Sequence, residues 1–164
     1  MNSIDHAKIL ALLLLARGWK IALAESCTGG MVCATLTELS GSSEWFERGY
    51  ITYSNQAKTE CLGVPDALIL AHGAVSEPVA RAMAQGAQRN AGVHVGVSIT
   101  GIAGPTGGTT EKPVGTVCFG WTIPNAAGEY VTTCQTKLFS GDRKSIREQA
   151  TEYALVGLLQ LLNN

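Results

Sequence analysis

A serine pair, a tyrosine and a lysine that lie close together in the chain supply the residue types of a nucleophilic site: Ser42-Ser43, Tyr53 and Lys58. A serine hydroxyl becomes a nucleophile without histidine when a deprotonated lysine accepts its proton and a tyrosine hydroxyl orients the pair. Burial or a neighbouring cation removes the charge from such a lysine. A structural interpretation also fits, in which Ser43 caps a helix, Tyr53 belongs to a strand and Lys58 is solvated. Whether the three side chains converge depends on the fold.

The segment Glu25–Gly30 places hydroxyl, thiol and glycine residues between a predicted strand and a predicted helix. Its members beyond Glu25 are Ser26, Cys27, Thr28, Gly29 and Gly30. Backbone N–H groups and hydroxyls at a helix amino end can surround an anion. A tight turn that uses its glycines only for backbone freedom explains the same residues. Cys27 is a rival nucleophile because a helix amino end lowers the pKa of a thiol, although no histidine lies near it in sequence.

The segment Thr100–Gly108 is a second glycine-rich loop and follows the most apolar predicted strand. Its glycines are Gly101, Gly104, Gly107 and Gly108. Glycine lets the backbone approach a ligand, and Thr100 offers a hydroxyl at the end of the strand. A glycine-rich loop of this length in a compact domain is usually functional or disordered, and its placement between two core strands favours function. The two loops together predict a site for a small phosphorylated substrate.

Two arginines near the carboxyl terminus, Arg143 and Arg147, are spaced one turn apart on a predicted helix. Side chains at this spacing share a helix face. The two guanidinium groups are suited to clamping a phosphate, and pairing with surface carboxylates explains them equally well.

Several common sites are absent from the sequence. No phosphate-binding GxxxxGK[ST] motif, GxGxxG fingerprint or GxSxG nucleophile elbow occurs. His6, His72 and His94 are scattered and lack the spacing of metal ligands or of a catalytic triad. We therefore predict neither a metal site nor a cofactor.

Composition limits the partners and the compartment. The net charge is −1 without a run of lysine or arginine, which argues against nucleic acid as a partner. The apolar run 9–16 is too short to span a bilayer, so we expect no membrane partner. Five cysteines without CxxC spacing predict free thiols in a reducing cytoplasm rather than disulfides or zinc.

Hydrophobic periodicity and turn residues predict alternating helices and strands in one domain over residues 1–164. Strands are predicted at 20–24, 50–53, 93–99, 114–123 and 130–138. Helices are predicted at 4–17, 31–39, 55–62 with Asn55 as its N-cap, 65–72, 76–90 after Ser76, and 142–162 after Asp142 or Gly141. This order predicts an α/β fold, a three-layer α/β/α sandwich with a mixed, mostly parallel sheet of about five strands, one antiparallel. Both glycine-rich loops then lie at carboxyl ends of strands, where such sheets bind ligands.

Segments in order along nearly the whole chain resemble the signature blocks of the CinA C-terminal domain family. They are 24–30 (AESCTGG), 41–43 (GSS), 53–58 (YSNQAK), 73–76 (GAVS), 98–105 (SITGIAGP), 111–117 (EKPVGTV) and 139–143 (FSGDR). The resemblance implies the α/β/α fold, a stand-alone form of the domain and a homodimer.

The resemblance also implies an activity. Members act as nicotinamide-nucleotide amidohydrolases, which convert nicotinamide mononucleotide to nicotinic acid mononucleotide and ammonia in pyridine nucleotide salvage. The family's Ser/Lys/Tyr set corresponds here to Ser43, Lys58 and Tyr53, and Thr100 and Arg143 match further functional positions. Two alternatives stay open: a non-catalytic nucleotide-binding or interaction module linked to competence or DNA damage, and a Cys27-dependent amidase with another substrate.

Overall fold

The computed structural model describes all residues from Met1 to Asn164. The elements are α1 (Ser3–Arg17), β1 (Ile21–Glu25), α2 (Met31–Thr37), β2 (Phe46–Ile51), α3 (Asn55–Leu62), α4 (Asp66–His72), α5 (Glu77–Ala91), β3 (Val95–Gly101), β4 (Thr116–Pro124), β5 (Tyr130–Leu138) and α6 (Arg143–Leu162). A 3₁₀ turn, Ser42–Glu44, precedes β2. None of the six helices combines the length and apolar character needed to cross a membrane.

The five strands form one sheet in the order β2-β1-β3-β4-β5. Strand β1 is parallel to both β2 and β3, whereas β4 is antiparallel to both β3 and β5. Four strands therefore run in one direction and β4 runs against them. Helices α1, α2 and α6 pack on one face of the sheet, and α3, α4 and α5 cover the other. The predicted three-layer sandwich with one antiparallel strand is confirmed.

Helix α6 is held close to the sheet by small residues. A Cβ at Gly157 would lie 2.3 Å from the indole of Trp121, so only glycine lets the helix approach this ring. The Trp121 indole N–H also donates to the Ala154 carbonyl at 3.0 Å. This packing holds α6 against the sheet, and hydrogen bonds from Arg147 to the Cys27 and Thr28 carbonyls hold its amino end beside the loop after β1.

One predicted strand and one predicted helix cap are wrong. The predicted strand 50–53 is observed at Phe46–Ile51, which leaves Tyr53 beyond its end. Because β2 is an edge strand, its charged residues Glu47 and Arg48 remain partly solvated, and their polarity concealed the start of the strand. Helix α3 is capped by Ser54 and not by Asn55.

The observed helix caps follow ordinary capping chemistry. Ser54 Oγ accepts a hydrogen bond from the Ala57 N–H at 3.0 Å, which satisfies a free donor of the first turn of α3. The predicted caps Ser76 and Asp142 are confirmed for α5 and α6.

Three loops emerge side by side at one edge of the sheet. Glu25, the last residue of β1, pairs with Ile51 of β2 and with Ile99 of β3. The chain segments that follow these strands therefore share the carboxyl edge. Both glycine-rich loops leave neighbouring strands at this edge, as predicted.

Candidate active site

A pocket of about 210 Å³ lies at the carboxyl edge of the sheet. It is lined by Ser26, Cys27, Tyr53, Asn55, Lys58, Ala74, Val75, Thr100, Gly101, Ala103 and Arg143. The loops after β1, β2 and β3 all contribute, together with the connection before α5 and the first residue of α6. A larger groove of about 650 Å³ beside α4 and α5 has no serine, threonine, cysteine or tyrosine in its lining, so size does not identify the reactive site.

Lys58 is the only fully buried lysine or arginine, with 1% of its surface exposed. Its Nζ lies 2.9 Å from the Thr52 carbonyl, 3.1 Å from the Tyr53 carbonyl and 3.0 Å from Ser26 Oγ. Carbonyl oxygens only accept hydrogen bonds, so two N–H groups of Lys58 are committed to them. The remaining position on Nζ faces Ser26 Oγ. It holds a third N–H in the ammonium form and a lone pair in the neutral amine.

The surroundings of Lys58 favour the neutral amine. Burial lowers the pKa of Lys58 from its ordinary value of 10.5, and a weaker influence from Cys27 opposes this shift. No carboxylate contacts Nζ, since its three partners are a hydroxyl and two carbonyls. A neutral Lys58 accepts a proton from the Ser26 hydroxyl without giving up either carbonyl contact. The arrangement has the geometry that activation of a serine by a lysine base requires.

Ser26 is held firmly where β1 ends. Its N–H donates to the Ile99 carbonyl of β3 at 3.0 Å, and its side chain opens into the pocket. The sequence placed Ser26 in a binding loop and did not pair it with Lys58. The missing information was the strand order, because two residues separated by 32 positions meet only if β1 and β2 are neighbours.

The structure does not bring Ser43 to Lys58. Ser43 is exposed in the 3₁₀ turn before β2, and Phe46 at the start of β2 pairs with Ile21 at the start of β1. Lys58 contacts residues that follow the end of β2, and a strand of this length spans about 17–20 Å. The expected Ser43–Lys58 pair is therefore not assembled, because the two residues lie at opposite ends of the same strand.

Tyr53 reaches the site through its backbone. Its carbonyl accepts from Lys58, but its side chain is 61% exposed and its hydroxyl accepts from Arg143 Nη2 at 3.2 Å. The hydroxyl has no contact with Ser26 or Lys58. The Tyr53 carbonyl helps to fix Lys58 Nζ, while the phenol, for which an orienting role is predicted, stands at the rim of the pocket.

The amino end of α2 is already occupied by a carboxylate of the chain. Glu25 is fully buried, and its two oxygens accept from the N–H groups of Gly30, Val32 and Cys33 at 3.2, 3.1 and 2.9 Å. These donors are unavailable to an external anion. The Glu25 carboxylate therefore occupies the position at this helix end where an anion was expected. Gly29 and Gly30 take positive φ values of 57° and 104°, which explains them as turn residues.

Two other N–H groups of this loop have no acceptor in the protein. They belong to Cys27 and Thr28, the residues that follow Ser26. The Thr28 hydroxyl is likewise buried without a hydrogen-bond partner. Cys27 lines the pocket, whereas Thr28 is fully buried outside its lining, so only the Cys27 N–H stands where a donor to an oxyanion is needed.

The second glycine-rich loop divides into a part that lines the pocket and a part that does not. Thr100 lines it and donates its hydroxyl to the Ala74 carbonyl at 3.0 Å, and Gly101 leaves room for the Cys27 thiol. The N–H groups of Ala103 and Gly104 are buried without an acceptor in the protein. Gly107 and Gly108 are exposed and do not line the pocket.

The two arginines that the sequence placed together point to different targets. Arg143 donates to the Gly104 carbonyl at 2.8 Å and to the Tyr53 hydroxyl, at the rim of the pocket. Arg147 does not line the pocket and instead donates to the carbonyls of Cys27 and Thr28. The expected two-arginine clamp is not formed.

Cys27 lies in the pocket as a neutral thiol. Burial raises its pKa to about 12, which outweighs the opposing influences of Arg147 and Lys58. The expected lowering by a helix amino end is absent because the Glu25 carboxylate caps that end. No group of three or more His, Cys, Asp or Glu side chains converges anywhere to hold a metal ion. The nucleophile that the geometry favours is Ser26.

Comparison with known proteins gives consistent matches. A family model described as the CinA C-terminal domain matches residues 4–162. A CinA-like protein of Syntrophobacter fumaroxidans is 50% identical over 157 residues, which are 96% of this chain and 36% of that protein. The nicotinamide-nucleotide amidohydrolase PncC of Escherichia coli K12 is 53% identical over 147 residues, which are 90% of this chain and 87% of that protein.

Among solved structures, the competence damage-inducible protein A of Klebsiella pneumoniae superposes with a TM-score of 0.93 at 34% identity, over 100% of this chain and 99% of that chain. This chain spans little more than a third of the Syntrophobacter relative and most of the Escherichia coli protein.

Proposed function

The chain belongs to the CinA C-terminal domain family, and from this premise we propose that it hydrolyses the carboxamide of nicotinamide mononucleotide to give nicotinic acid mononucleotide and ammonia. The Escherichia coli relative is named for an amidohydrolase of nicotinamide nucleotides. The observation that carries the proposal is the contact between Ser26 Oγ and the buried Nζ of Lys58, because it supplies a nucleophile and a base without a metal. The five free thiols favour a cytoplasmic location.

The first half of the proposed reaction forms an acyl-enzyme. Ser26 Oγ attacks the carboxamide carbon while neutral Lys58 takes the hydroxyl proton. The N–H group of Cys27, which lines the pocket, stabilises the oxyanion of the tetrahedral intermediate. Lys58 then gives its proton to the departing amino group, so that ammonia leaves and an ester to Ser26 remains.

The second half restores the enzyme. A water molecule enters the position that ammonia has left, and Lys58 removes a proton from it as it attacks the ester carbon. The C–O bond to Ser26 breaks and Lys58 returns the proton to Oγ. The sum is one amide and one water converted to one carboxylic acid and ammonia, and Lys58 is neutral at the start and at the end.

We place the phosphate of the substrate at the second glycine-rich loop. In the first loop, the N–H groups at the amino end of α2 already donate to the Glu25 carboxylate. In the second loop, the N–H groups of Ala103 and Gly104 have no acceptor in the protein and lie near Arg143. A pocket of about 210 Å³ encloses the pyridine ring but not the whole nucleotide, so the phosphate lies at the rim. Arg143 supplies the positive charge there.

The proposal is tested by incubating the purified protein with nicotinamide mononucleotide and measuring ammonia and product mass. We expect nicotinic acid mononucleotide and equimolar ammonia, with turnover unchanged after exhaustive chelation. Free nicotinamide and its riboside are the matched substrates, and the loss of the phosphate should weaken turnover strongly. Binding without ammonia release would contradict the proposal and favour a non-catalytic module. Inactivation by thiol alkylation would favour a Cys27-dependent amidase.

A further inference from the structure

Asn55, the first residue of α3, lines the pocket at the carboxyl edge of the sheet, and the fold gives its side chain no role. Ser54 caps the helix instead. Apart from the helix ladder, Asn55 makes one hydrogen bond, in which its backbone carbonyl accepts from Thr59 Oγ1 at 3.5 Å. The side-chain amide therefore has no partner in the chain. It offers one oxygen that accepts hydrogen bonds and one NH₂ group that donates them.

Asn55 lies on the same face of α3 as Lys58. The two residues are three positions apart, a spacing that makes their side chains neighbours on a helix. Long side chains on a helix lean toward its amino end. Lys58 does so, because its Nζ contacts the carbonyls of Thr52 and Tyr53, which both precede α3. The Lys58 amine therefore lies at the end of the helix where Asn55 stands.

The proposed reaction sets the direction of the scissile carboxamide in the pocket. Its oxygen faces the Cys27 N–H, and its amino group faces Lys58 Nζ, which protonates that group as it leaves. Cys27 belongs to the loop after β1, whereas Nζ lies at the amino end of α3. The amino group of the substrate therefore faces α3, on the side of the pocket that Asn55 lines.

We infer that Asn55 is a substrate-binding residue whose side-chain oxygen accepts a hydrogen bond from the amino group of the scissile carboxamide. The inference rests on the proposed amidohydrolase activity and adds to it the residue that holds the leaving group. An acceptor is the group required here, because the nitrogen of a carboxamide donates hydrogen bonds and does not accept them. The contact keeps this nitrogen beside Lys58 until the C–N bond breaks.

The test compares Asn55→Asp with Asn55→Leu, each in the Ser26→Ala background so that bound nucleotide is not turned over. Calorimetry at neutral pH gives the affinities for nicotinamide mononucleotide and for nicotinic acid mononucleotide. Aspartate keeps an acceptor for the amino group and cannot turn a donor toward the acid. We therefore expect Asn55→Asp to bind the amide within about twofold of the parent and the acid at least about tenfold more weakly. A carboxylate in the first turn of α3 also favours the helix, so this variant should fold.

Gln56→Glu is the matched control, because it adds the same charge to the neighbouring residue, which is exposed and does not line the pocket. It should affect the two nucleotides alike. Asn55→Leu removes the acceptor, so amide binding should weaken by about 3–10-fold, the typical loss for one neutral hydrogen bond. Equal changes for both nucleotides in Asn55→Asp, as expected if Asn55 contacts the ribose or the phosphate, would overturn the inference. An unchanged amide affinity in Asn55→Leu would also overturn it.

A measurement without nucleotide separates this inference from the proposed activity. The carboxylate of Asn55→Asp should raise the pKa of Lys58 more than that of Gln56→Glu does, because a nearby negative charge favours the ammonium form. The NMR resonance of the Lys58 side chain follows the titration. Equal pKa values in the two variants would overturn the inference whether or not the wild-type protein deamidates the nucleotide. Selective loss of acid binding in a protein that releases no ammonia would support the contact and contradict only the hydrolysis.

Discussion

Lys58 Nζ is surrounded by two oxygens that only accept hydrogen bonds and one oxygen that can also lose a proton. The Thr52 and Tyr53 carbonyls therefore fix the direction of the third position on the nitrogen. That direction leads to Ser26 Oγ at 3.0 Å. Burial lowers the pKa of Lys58, and in the neutral amine that we propose for the reaction the lone pair points at the Ser26 hydroxyl.

Replacing Ser26 with alanine should abolish deamidation while leaving the fold intact. The change removes the proposed nucleophile and only one buried hydroxyl, so we expect kcat to fall by at least about 10³-fold. Ser43→Ala is the matched control and should keep the wild-type rate, because Ser43 is exposed at the far end of β2. Ammonia release measured in parallel with circular dichroism decides between them. A Ser43→Ala variant that is inactive and folded would contradict Ser26 as the nucleophile and favour Ser43, the serine predicted from the sequence.

The rate should depend on pH through Lys58. A base acts only when deprotonated, so kcat/KM should rise with pH through one ionisation. Because burial lowers the pKa of Lys58, this limb should lie below 10.5. Measuring kcat/KM across pH in wild type gives the limb directly, and a rate that falls as pH rises through this range would argue against a lysine base.

Lys58→Arg tests the same base by substitution. Arginine keeps its proton at all accessible pH values. We therefore expect kcat/KM to fall by about 10²–10⁴-fold and to lose its rise with pH. Lys144→Arg is the control, since Lys144 is exposed on α6 and far from any proposed step. Retained activity in Lys58→Arg would make Lys58 a structural residue.

At the scale of single residues, the sequence predicts Lys58 as a base because a lysine close to a serine and a tyrosine can accept the proton of the serine hydroxyl. It paired Lys58 with Ser43, whereas the structure places Ser26 beside Lys58. Ser26 and Ser43 were both plausible from type and spacing, and only the pairing of β1 with β2 places Ser26 beside Lys58.

At the scale of elements, α2 shows how a buried charge can shape a loop. Glu25 ends β1, and its carboxylate turns forward to accept three N–H groups from the start of α2. The short helix is thereby tied to the sheet directly beneath the Ser26 turn. Sequence periodicity predicted the helix but not its cap, because the capping side chain comes from the preceding strand.

Glu25→Gln should destabilise the fold. An amide retains one acceptor oxygen and places an NH₂ group against a backbone donor, so at least one buried N–H loses its partner. We expect the free energy of unfolding to fall by about 3 kcal/mol, measured by urea denaturation. Glu38→Gln at the exposed carboxyl end of α2 is the control, expected within about 0.5 kcal/mol of wild type. Equal stabilities for the two variants would show that the Glu25 contacts contribute little.

Among the other elements, two helix caps were predictable from the sequence, whereas the start of the edge strand β2 was not. Ser76 and Asp142 predicted the starts of α5 and α6 because a capping side chain acts on the first turn next to it and is therefore recognisable in the local sequence. The start of β2 was missed because an edge strand tolerates Glu47 and Arg48, and its partner strand is not visible in the local sequence.

At the scale of the whole molecule, the sheet order assembles the site. Strand β1 lies between β2 and β3, so the loops that follow all three meet around one pocket, and the amino end of α6 closes its side. The alternation of helices and strands predicted this edge as the ligand site. We propose that residues 1–164 act as one amidohydrolase domain of the CinA C-terminal type.

The homodimer implied by the family resemblance stays a prediction. Exposed apolar side chains on the edge strand β5, including Tyr130, Val131 and Leu138, are compatible with further association. Light scattering on the purified protein should give the mass of two chains. The mass of one chain at micromolar concentration would contradict the dimer.

Trapping of the acyl-enzyme tests the central claim most directly. Wild-type protein is mixed with nicotinamide mononucleotide, quenched in acid during turnover, digested and mapped by mass spectrometry. The proposed mechanism predicts an adduct with the mass of the nucleotide less ammonia on the peptide that contains Ser26, and none in Ser26→Ala. An adduct on Ser43 or on Cys27, or full turnover by Ser26→Ala, would contradict it.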